Sequence, residues 1–199
     1  WYWVANAVEV EVLSWIQHQR ARGHALTFDK LDRGGWPLAV TLTFKGARYA
    51  PAQDAPAWSW YGDGITLRHP IREPEKLGIT LAGSQELTFG SGSGAATYAG
   101  SFQEATGEMV AGGWLPNGAA TIKEMALMNA AGNRGLAVGG LSLRAEGDAA
   151  APASPRDAGY IVTLEARQFH LPFTGLPFGA VLPNLDVQAE IMGALAPAP

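Results

Sequence analysis

The chain has 199 residues, a formal net charge of −4, a charged fraction of only 16% and no cysteine. Its length suits one domain or two small ones with a real hydrophobic core, and its few, scattered basic residues lack the electrostatic footprint of a nucleic-acid-binding protein. The absence of cysteine excludes disulfides, thiol nucleophiles and zinc–thiolate sites.

The first stretch of the chain carries a helical period. Val4, Val8, Val12 and Trp15 recur at three- and four-residue steps, and polar residues occupy the other side. Gly23 is suited to end the helix, because glycine readily adopts the positive φ that follows a helix C-terminus. We therefore predict an amphipathic helix of about five turns whose apolar stripe, including Trp15, is buried against the rest of the protein.

After the helix, apolar residues recur every second position, which is typical of β-strands with one buried face. In residues 38–45, for example, Val40, Leu42 and Phe44 alternate with polar neighbours. Strand-like runs occupy residues 25–31, 38–49, 57–61, 65–69, 78–81, 85–89, 95–102, 108–115, 119–128, 136–145, 160–170 and 185–192.

Turn signals separate several of these runs. They stand at Asp63-Gly64, Gly83-Ser84 and Asn117-Gly118. Such dipeptides predict two-residue hairpin turns, whose central positions favour positive φ. Short strands joined by tight turns indicate an antiparallel meander. We expect residues 1–23 to form the helix and residues 24–199 to form the β domain, with a loop at 146–159.

Motifs that carry catalysis are missing from the sequence. It contains no G-x-S-x-G nucleophile elbow and no H-E-x-x-H zinc motif, and its four histidines lie far apart along the chain. A hydrolase would need His69 or His170 to meet carboxylates in a pocket. We therefore expect no catalytic residues, no metal and no cofactor, and we keep a hydrolase as the less favoured alternative.

Aromatic residues are the more informative feature. Trp58 and Trp60 are two residues apart, so on a strand they share one face. Trp36 precedes Pro37 in a turn and is expected to close one end of the helix–sheet contact. Such residues form either the core of the sheet, which is the default, or an apolar groove that holds a ligand. The candidate groove residues are Trp15, Trp36, Val40, Leu42, Phe44, Trp58, Trp60, Trp114, Phe173 and Phe178.

Several of these elements together resemble the DUF2125 family of alphaproteobacterial envelope proteins. The resemblance is carried by an aromatic start, a helix with Trp15 in its middle, the Arg20-to-Gly23 turn and the segment Gly35-Trp36-Pro37. It continues in "APAWSW", "EPEKLGITLAGSQEL" and "LPFTGLPFGAVLPNLDVQAEIMG". It implies a periplasmic location, a membrane anchor or signal upstream of Trp1 and further protein after the final "APAP". It supplies no catalytic residues.

The sequence as a whole predicts a mainly β (α+β) protein, in which a long N-terminal amphipathic helix packs on a curved antiparallel β-meander. This plan is also similar to envelope proteins that carry lipids along curved, groove-forming sheets. We expect a non-enzymatic periplasmic protein, anchored to the inner membrane, that binds a lipid or another apolar molecule in a groove of the sheet. The alternative is a structural or assembly protein of the envelope that binds a protein partner and no ligand.

Overall fold

A computed structural model describes residues 1–52, 57–90, 94–111, 116–129, 135–147, 154, 158–170 and 181–192. Within these residues the chain forms one helix followed by eleven strands. They are α1 (Tyr2–Ala21), β1 (Ala25–Thr27), β2 (Lys30–Gly34), β3 (Ala39–Ala50), β4 (Trp58–Pro70), β5 (Lys76–Phe89), β6 (Ala96–Ser101), β7 (Glu104–Val110), β8 (Asn117–Asn129), β9 (Gly135–Gly147), β10 (Ala158–His170) and β11 (Val181–Met192). The prediction of a mainly β protein with one N-terminal helix is confirmed.

Helix α1 ends as its sequence predicts. Gly23 has a φ of +89°. Its amide donates to the carbonyl of Arg20 at 3.0 Å, and the amide of His24 donates to the carbonyl of Gln19 at 3.2 Å. These bonds satisfy carbonyl groups that the last turn of a helix otherwise leaves without partners.

The eleven described strands form one antiparallel sheet whose order follows the chain. β1 and β2 pair with successive halves of β3, and β6 and β7 together fill one position between β5 and β8. The sheet therefore has nine strand positions, each next to its neighbour in sequence. The predicted antiparallel meander is confirmed.

The predicted hairpins are wrong at three places. Asp63-Gly64 lies inside β4 and Gly83-Ser84 lies inside β5, so each of these strands joins two runs that the sequence separates. Asn117-Gly118 begins β8 and pairs with Val110 and Met109 of β7. The conformational freedom of glycine suits a hairpin turn, but it also suits an irregular position inside a strand. Pairing with the neighbouring strands decides which of the two structures forms.

The interior glycines and aspartates belong to a line of irregular positions that crosses the whole sheet. Each strand position contains one residue, or a break of two residues, that has no partner in the register with the neighbouring strand. These unpaired residues lie opposite one another in adjacent strands. We call this line the seam. It consists of Asp29, Gly46, Asp63, Gly83, Phe102-Gln103, Glu124, Gly139, Gln168 and Pro183.

Four seam residues have positive φ, at +60° for Gly46, +76° for Gly83, +48° for Glu124 and +52° for Gln168. They lie in β3, β5, β8 and β10, in every second strand position. A bulge changes the direction of the side chains that follow it. The alternation of inward and outward residues along each strand is therefore shifted by one position at the seam. In β1 and β2, for example, Leu26 and Leu31 lie on either side of the seam and both pack against the same core.

That core lies between α1 and the first strands. Its buried members are Ala5, Ile16, Val40, Leu42 and Phe44. Trp1, Val8, Val12, Leu13, Leu26, Phe28, Leu31, Ile65 and Leu67 pack around them. Val40, Leu42 and Phe44 were predicted to share one apolar face of a strand, and they lie together in this core.

The helix presents only part of the predicted stripe to the sheet, because Val8 and Val12 pack against the core and Val4 and Trp15 do not. Val4 remains 36% exposed and Trp15 remains 55% exposed, so the prediction that they are buried is wrong. Neighbouring helix residues point about 100° apart, and Ile16 rather than Trp15 faces the sheet. Ala5, which is completely buried, is small enough to let the helix approach closely.

Candidate functional site: the apolar face of the sheet

One face of the sheet is apolar at every strand position, apart from Arg33 at the β2 edge. The row beside the seam runs through directly paired residues, one from each strand position. It contains Leu31, Phe44, Ile65, Leu81, Ala105, Ile122, Leu141, Ala166 and Leu185. The next row contains Arg33, Leu42, Leu67, Ile79, Gly107, Ala120, Leu143, Leu164 and Val187. We call these two rows the apolar face.

The opposite face is polar in the same region. Along each strand, one residue lies between the two residues of the apolar face, and its side chain points to the opposite face. Together these residues form a row of Asp32, Thr43, Thr66, Thr80, Thr106, Thr121, Ser142, Glu165 and Asp186. The hydroxyl oxygens of Thr43 and Thr66 lie 3.0 Å apart and share a hydrogen bond. Side chains on opposite faces of this sheet thus differ sharply in polarity.

Helix α1 covers only one end of the apolar face. Its principal contacts are with β1 and β3. Val40 and Leu42 are 1% exposed beneath it, whereas Leu143 and Val187, in the same row as Leu42, are 37% and 46% exposed. The apolar face is therefore open to solvent at these two positions on its C-terminal strands.

Residues beside the seam are buried even on strands far from the helix. Ala105 and Ala166 on one side, and Leu127 and Val138 on the other, are all at most 2% exposed. These four side chains are therefore buried although α1 makes its main contacts with β1 and β3.

The seam itself is built from acidic and amide side chains that lie over glycines. The carboxylate of Asp29 occupies the place of a side chain at Gly46, that of Asp63 the place at Gly83, and the amide of Gln168 the place at Gly139. A larger residue at any of these glycines would displace the side chain above it.

Hydrogen bonds hold the Asp63 carboxylate in place. It accepts from the amide of Ser84 at 2.7 Å and from the hydroxyl of Tyr61 at 3.0 Å. The Ser84 amide, followed by the Tyr61 hydroxyl, lowers the pKa of Asp63 below its ordinary value, and the bond to Asp63 raises the pKa of Tyr61. The charged carboxylate therefore has a structural role, tying β4 to β5.

Trp58 and Trp60 lie on the far side of the seam from Ile65. The indole nitrogen of Trp60 donates to the side-chain oxygen of Gln85 at 3.1 Å, and Gln85 is only 2% exposed. The rings of Trp58 and Tyr49 lie 5.3 Å apart. Both tryptophans are half-buried, so each keeps an accessible surface together with fixed neighbours.

The other predicted groove residues are not gathered in one place. Trp36 lies in the turn between β2 and β3, is 73% exposed and follows Gly35, whose φ is +92°. Its predicted role as a plug of the helix–sheet contact is therefore wrong, because most of its side chain is exposed and it is not among the residues packed on the core. Trp15 points away from the sheet. Trp114, Phe173 and Phe178 lie outside the described residues.

The open part of the apolar face was not identified from the sequence. Leu143, Leu164 and Val187 form a continuous strip across β9, β10 and β11. Each lies in a run that the sequence predicts to be a strand, and the alternation of those runs is the signal that could have found them. Their alignment in one row depends on register, which a single sequence does not show.

No cluster of catalytic or metal-binding groups accompanies this face. Among the described residues, no three His, Asp or Glu side chains are grouped so as to hold a metal ion. His69 in β4 and His170 in β10 are five strand spacings apart, about 24 Å along the sheet. In the part of the chain that the structure describes, no helix is both long and apolar enough to cross a membrane.

Comparison with known proteins gives one match. A family model described as "Uncharacterized protein conserved in bacteria (DUF2125)" matches residues 1–198. Neither a curated protein nor a solved structure matches the chain. The match covers the helix, the complete sheet and the seam.

Proposed function

The chain belongs to the DUF2125 family, and we propose that it is a non-enzymatic periplasmic protein that binds a lipid along its apolar face. An anchor in the inner membrane, upstream of Trp1, is part of the same proposal. The observation that carries it is the open apolar strip on β9, β10 and β11, where Leu143 and Val187 are 37% and 46% exposed. Large exposed apolar surfaces are rare on monomeric proteins and mark binding sites.

The seam supports the shape that such a site needs. We propose that the sheet curves sharply along the seam, so that the residues on its two sides face each other across a groove. The burial of Ala105, Leu127, Val138 and Ala166 supports this curvature, because α1 makes its main contacts elsewhere. Bulges increase local twist and bend strands, and a bulge in every second strand position adds these bends together.

The chemistry of the groove favours an acyl chain. Its wall contains aliphatic side chains, with Gly107 and Ala120 leaving space between the larger Ile79 and Leu143. A groove of this kind offers apolar area along its length and few polar groups to orient a compact ligand. Amphipathic helix α1 would close one end, since it covers β1 and β3.

The first test is mass spectrometry of the protein purified gently from its native envelope. Native spectra should show one lipid per chain, and an organic extract should identify a chemically uniform species. A clean mass without ligand, and no uptake of added phospholipid, would contradict the proposal.

Two lysine variants locate the ligand. Leu143 and Ile161 are equally exposed, at 37%, but Leu143 lies on the apolar face and Ile161 on the opposite one. Leu143→Lys places a charge in the proposed groove and should reduce bound lipid about tenfold, whereas Ile161→Lys should retain it. Equal lipid content in the two variants would exclude this face as the site.

The edge strand β11 favours a second candidate, a protein partner. Among the described residues β11 pairs only with β10, and Val181 and Met192 on it are 46% and 51% exposed. A long unpaired edge can add a strand from another chain. If the purified protein carries no lipid, crosslinks that join β11 to another protein would support this candidate.

A further inference from the structure

One end of the molecule carries exposed aromatic and aliphatic side chains from two separate elements. Tyr2 and Trp3 of α1 are 64% and 85% exposed, and Trp36 and Leu38 of the β2–β3 turn are 73% and 64% exposed. We call these four residues the aromatic end. Their exposure exceeds that of Leu143 and Val187 on the apolar face.

Direct contacts hold the two elements side by side. The indole nitrogen of Trp1 donates to the carbonyl of Ala39 at 2.6 Å, one residue after Leu38. The guanidinium of Arg33 lies 5.4 Å from the centre of the Tyr2 ring. The start of α1 and the β2–β3 turn therefore form one surface.

One pair of opposite charges lies beside this surface. The Nη1 atom of Arg33 lies 3.0 Å from the Oε2 atom of Glu9, and both side chains are about one-third exposed. A paired charge can approach an apolar phase at lower cost than an isolated one. The four residues of the aromatic end are themselves uncharged.

We propose that the aromatic end inserts into the headgroup region of a phospholipid bilayer. Tryptophan and tyrosine concentrate at membrane–water interfaces, where an apolar ring and a polar N–H or O–H group are both accommodated. These side chains project from a helix end and a turn, a shape suited to a soft, penetrable surface. The inference rests on the proposed membrane location of the protein and is independent of its proposed ligand.

The experiment is flotation of the chain with vesicles of phosphatidylethanolamine and phosphatidylglycerol. The unmodified chain should float with the vesicles. A Trp36→Ser, Leu38→Ser variant should bind about tenfold more weakly, since it removes two apolar side chains from the contact. Trp15→Ser is the matched control, because Trp15 is also exposed, at 55%, but lies about 20 Å further along α1. This control should float like the unmodified chain.

Three results would overturn the inference: no flotation of the unmodified chain, full flotation of the double variant, or equal losses in the double variant and the Trp15→Ser control. Circular dichroism establishes that each variant is folded. If the double variant does not fold, brominated phospholipids provide the test on the unmodified chain. They should quench part of its tryptophan fluorescence, and unquenched fluorescence would overturn the inference.

The two proposals fail in different ways. If the chain floats but yields no lipid on extraction, the result supports the aromatic end as a bilayer contact and contradicts the proposed ligand. If the chain purified from its envelope yields lipid but does not float, the result supports the proposed ligand and contradicts the aromatic end as a bilayer contact.

Discussion

The strands beneath α1 and the strands beyond β5 carry the same alternation of apolar and polar residues but differ in what covers them. Leu42 and Leu143 illustrate this difference because they lie in the same row of the sheet. Leu42 is 1% exposed and Leu143 is 37% exposed. The helix makes its main contacts with β1 and β3 and leaves the later strands without a second layer from α1.

Alternation of apolar and polar residues therefore creates an apolar face without burying it. A sheet normally buries its apolar face against a helix or a second sheet. On the C-terminal strands, the buried hydrophobic residues among those described lie beside the seam. The remaining apolar surface is where we place a ligand.

Truncating the two leucines should give the largest contrast. Leu42→Ala should lower the free energy of unfolding by about 4 kcal/mol, since it leaves a cavity in the core beneath α1. Leu143→Ala should lower it by less than about 1 kcal/mol, because its side chain is already partly hydrated. Urea unfolding followed by circular dichroism measures both. Similar losses would mean that the C-terminal strands are covered as completely as the first ones.

Two neighbouring helix residues test which side of α1 meets the sheet. Ile16→Ala should lower the free energy of unfolding by about 3 kcal/mol, since Ile16 is 4% exposed in the core. Trp15→Ala should change it by about 0.5 kcal/mol, although more side-chain atoms are removed. Thermal unfolding of the two variants is the measurement. A larger effect at Trp15 would show that the helix docks through the other side.

The seam glycines Gly46 and Gly83 should behave alike, although only the strand of Gly46, β3, has main contacts with α1. Gly46→Ala and Gly83→Ala should each cost about 1–2 kcal/mol, because both glycines have positive φ and each lies beneath an aspartate. Gly140→Ala is the control, because no atom lies within 4 Å of the added methyl group. It should be neutral or slightly stabilising. Chemical denaturation separates these outcomes, and equal costs at all three positions would remove the special role of the seam.

Much of the fold could be predicted from the sequence. The helical period of the first residues, the stop at Gly23 and the period of two in later segments are local properties, and they identify α1 and most strands. The meander follows because short connections favour pairing between neighbours in sequence. For the candidate site, the sequence identified Leu42 and Phe44 as residues that share a face. It did not identify Leu143 and Val187, which become neighbours of the other apolar residues only through register.

Local sequence thus determined the type and order of the elements, because propensity and periodicity act over a few residues. Tertiary structure alone decided three further features. It placed Asp63-Gly64 and Gly83-Ser84 inside strands, since pairing with adjacent strands outweighs a local turn preference. It turned Ile16 rather than Trp15 toward the sheet, since packing selects the side of a helix that approaches most closely. It aligned one irregular residue or break per strand position into the seam, because only lateral pairing brings residues so distant in sequence into one line.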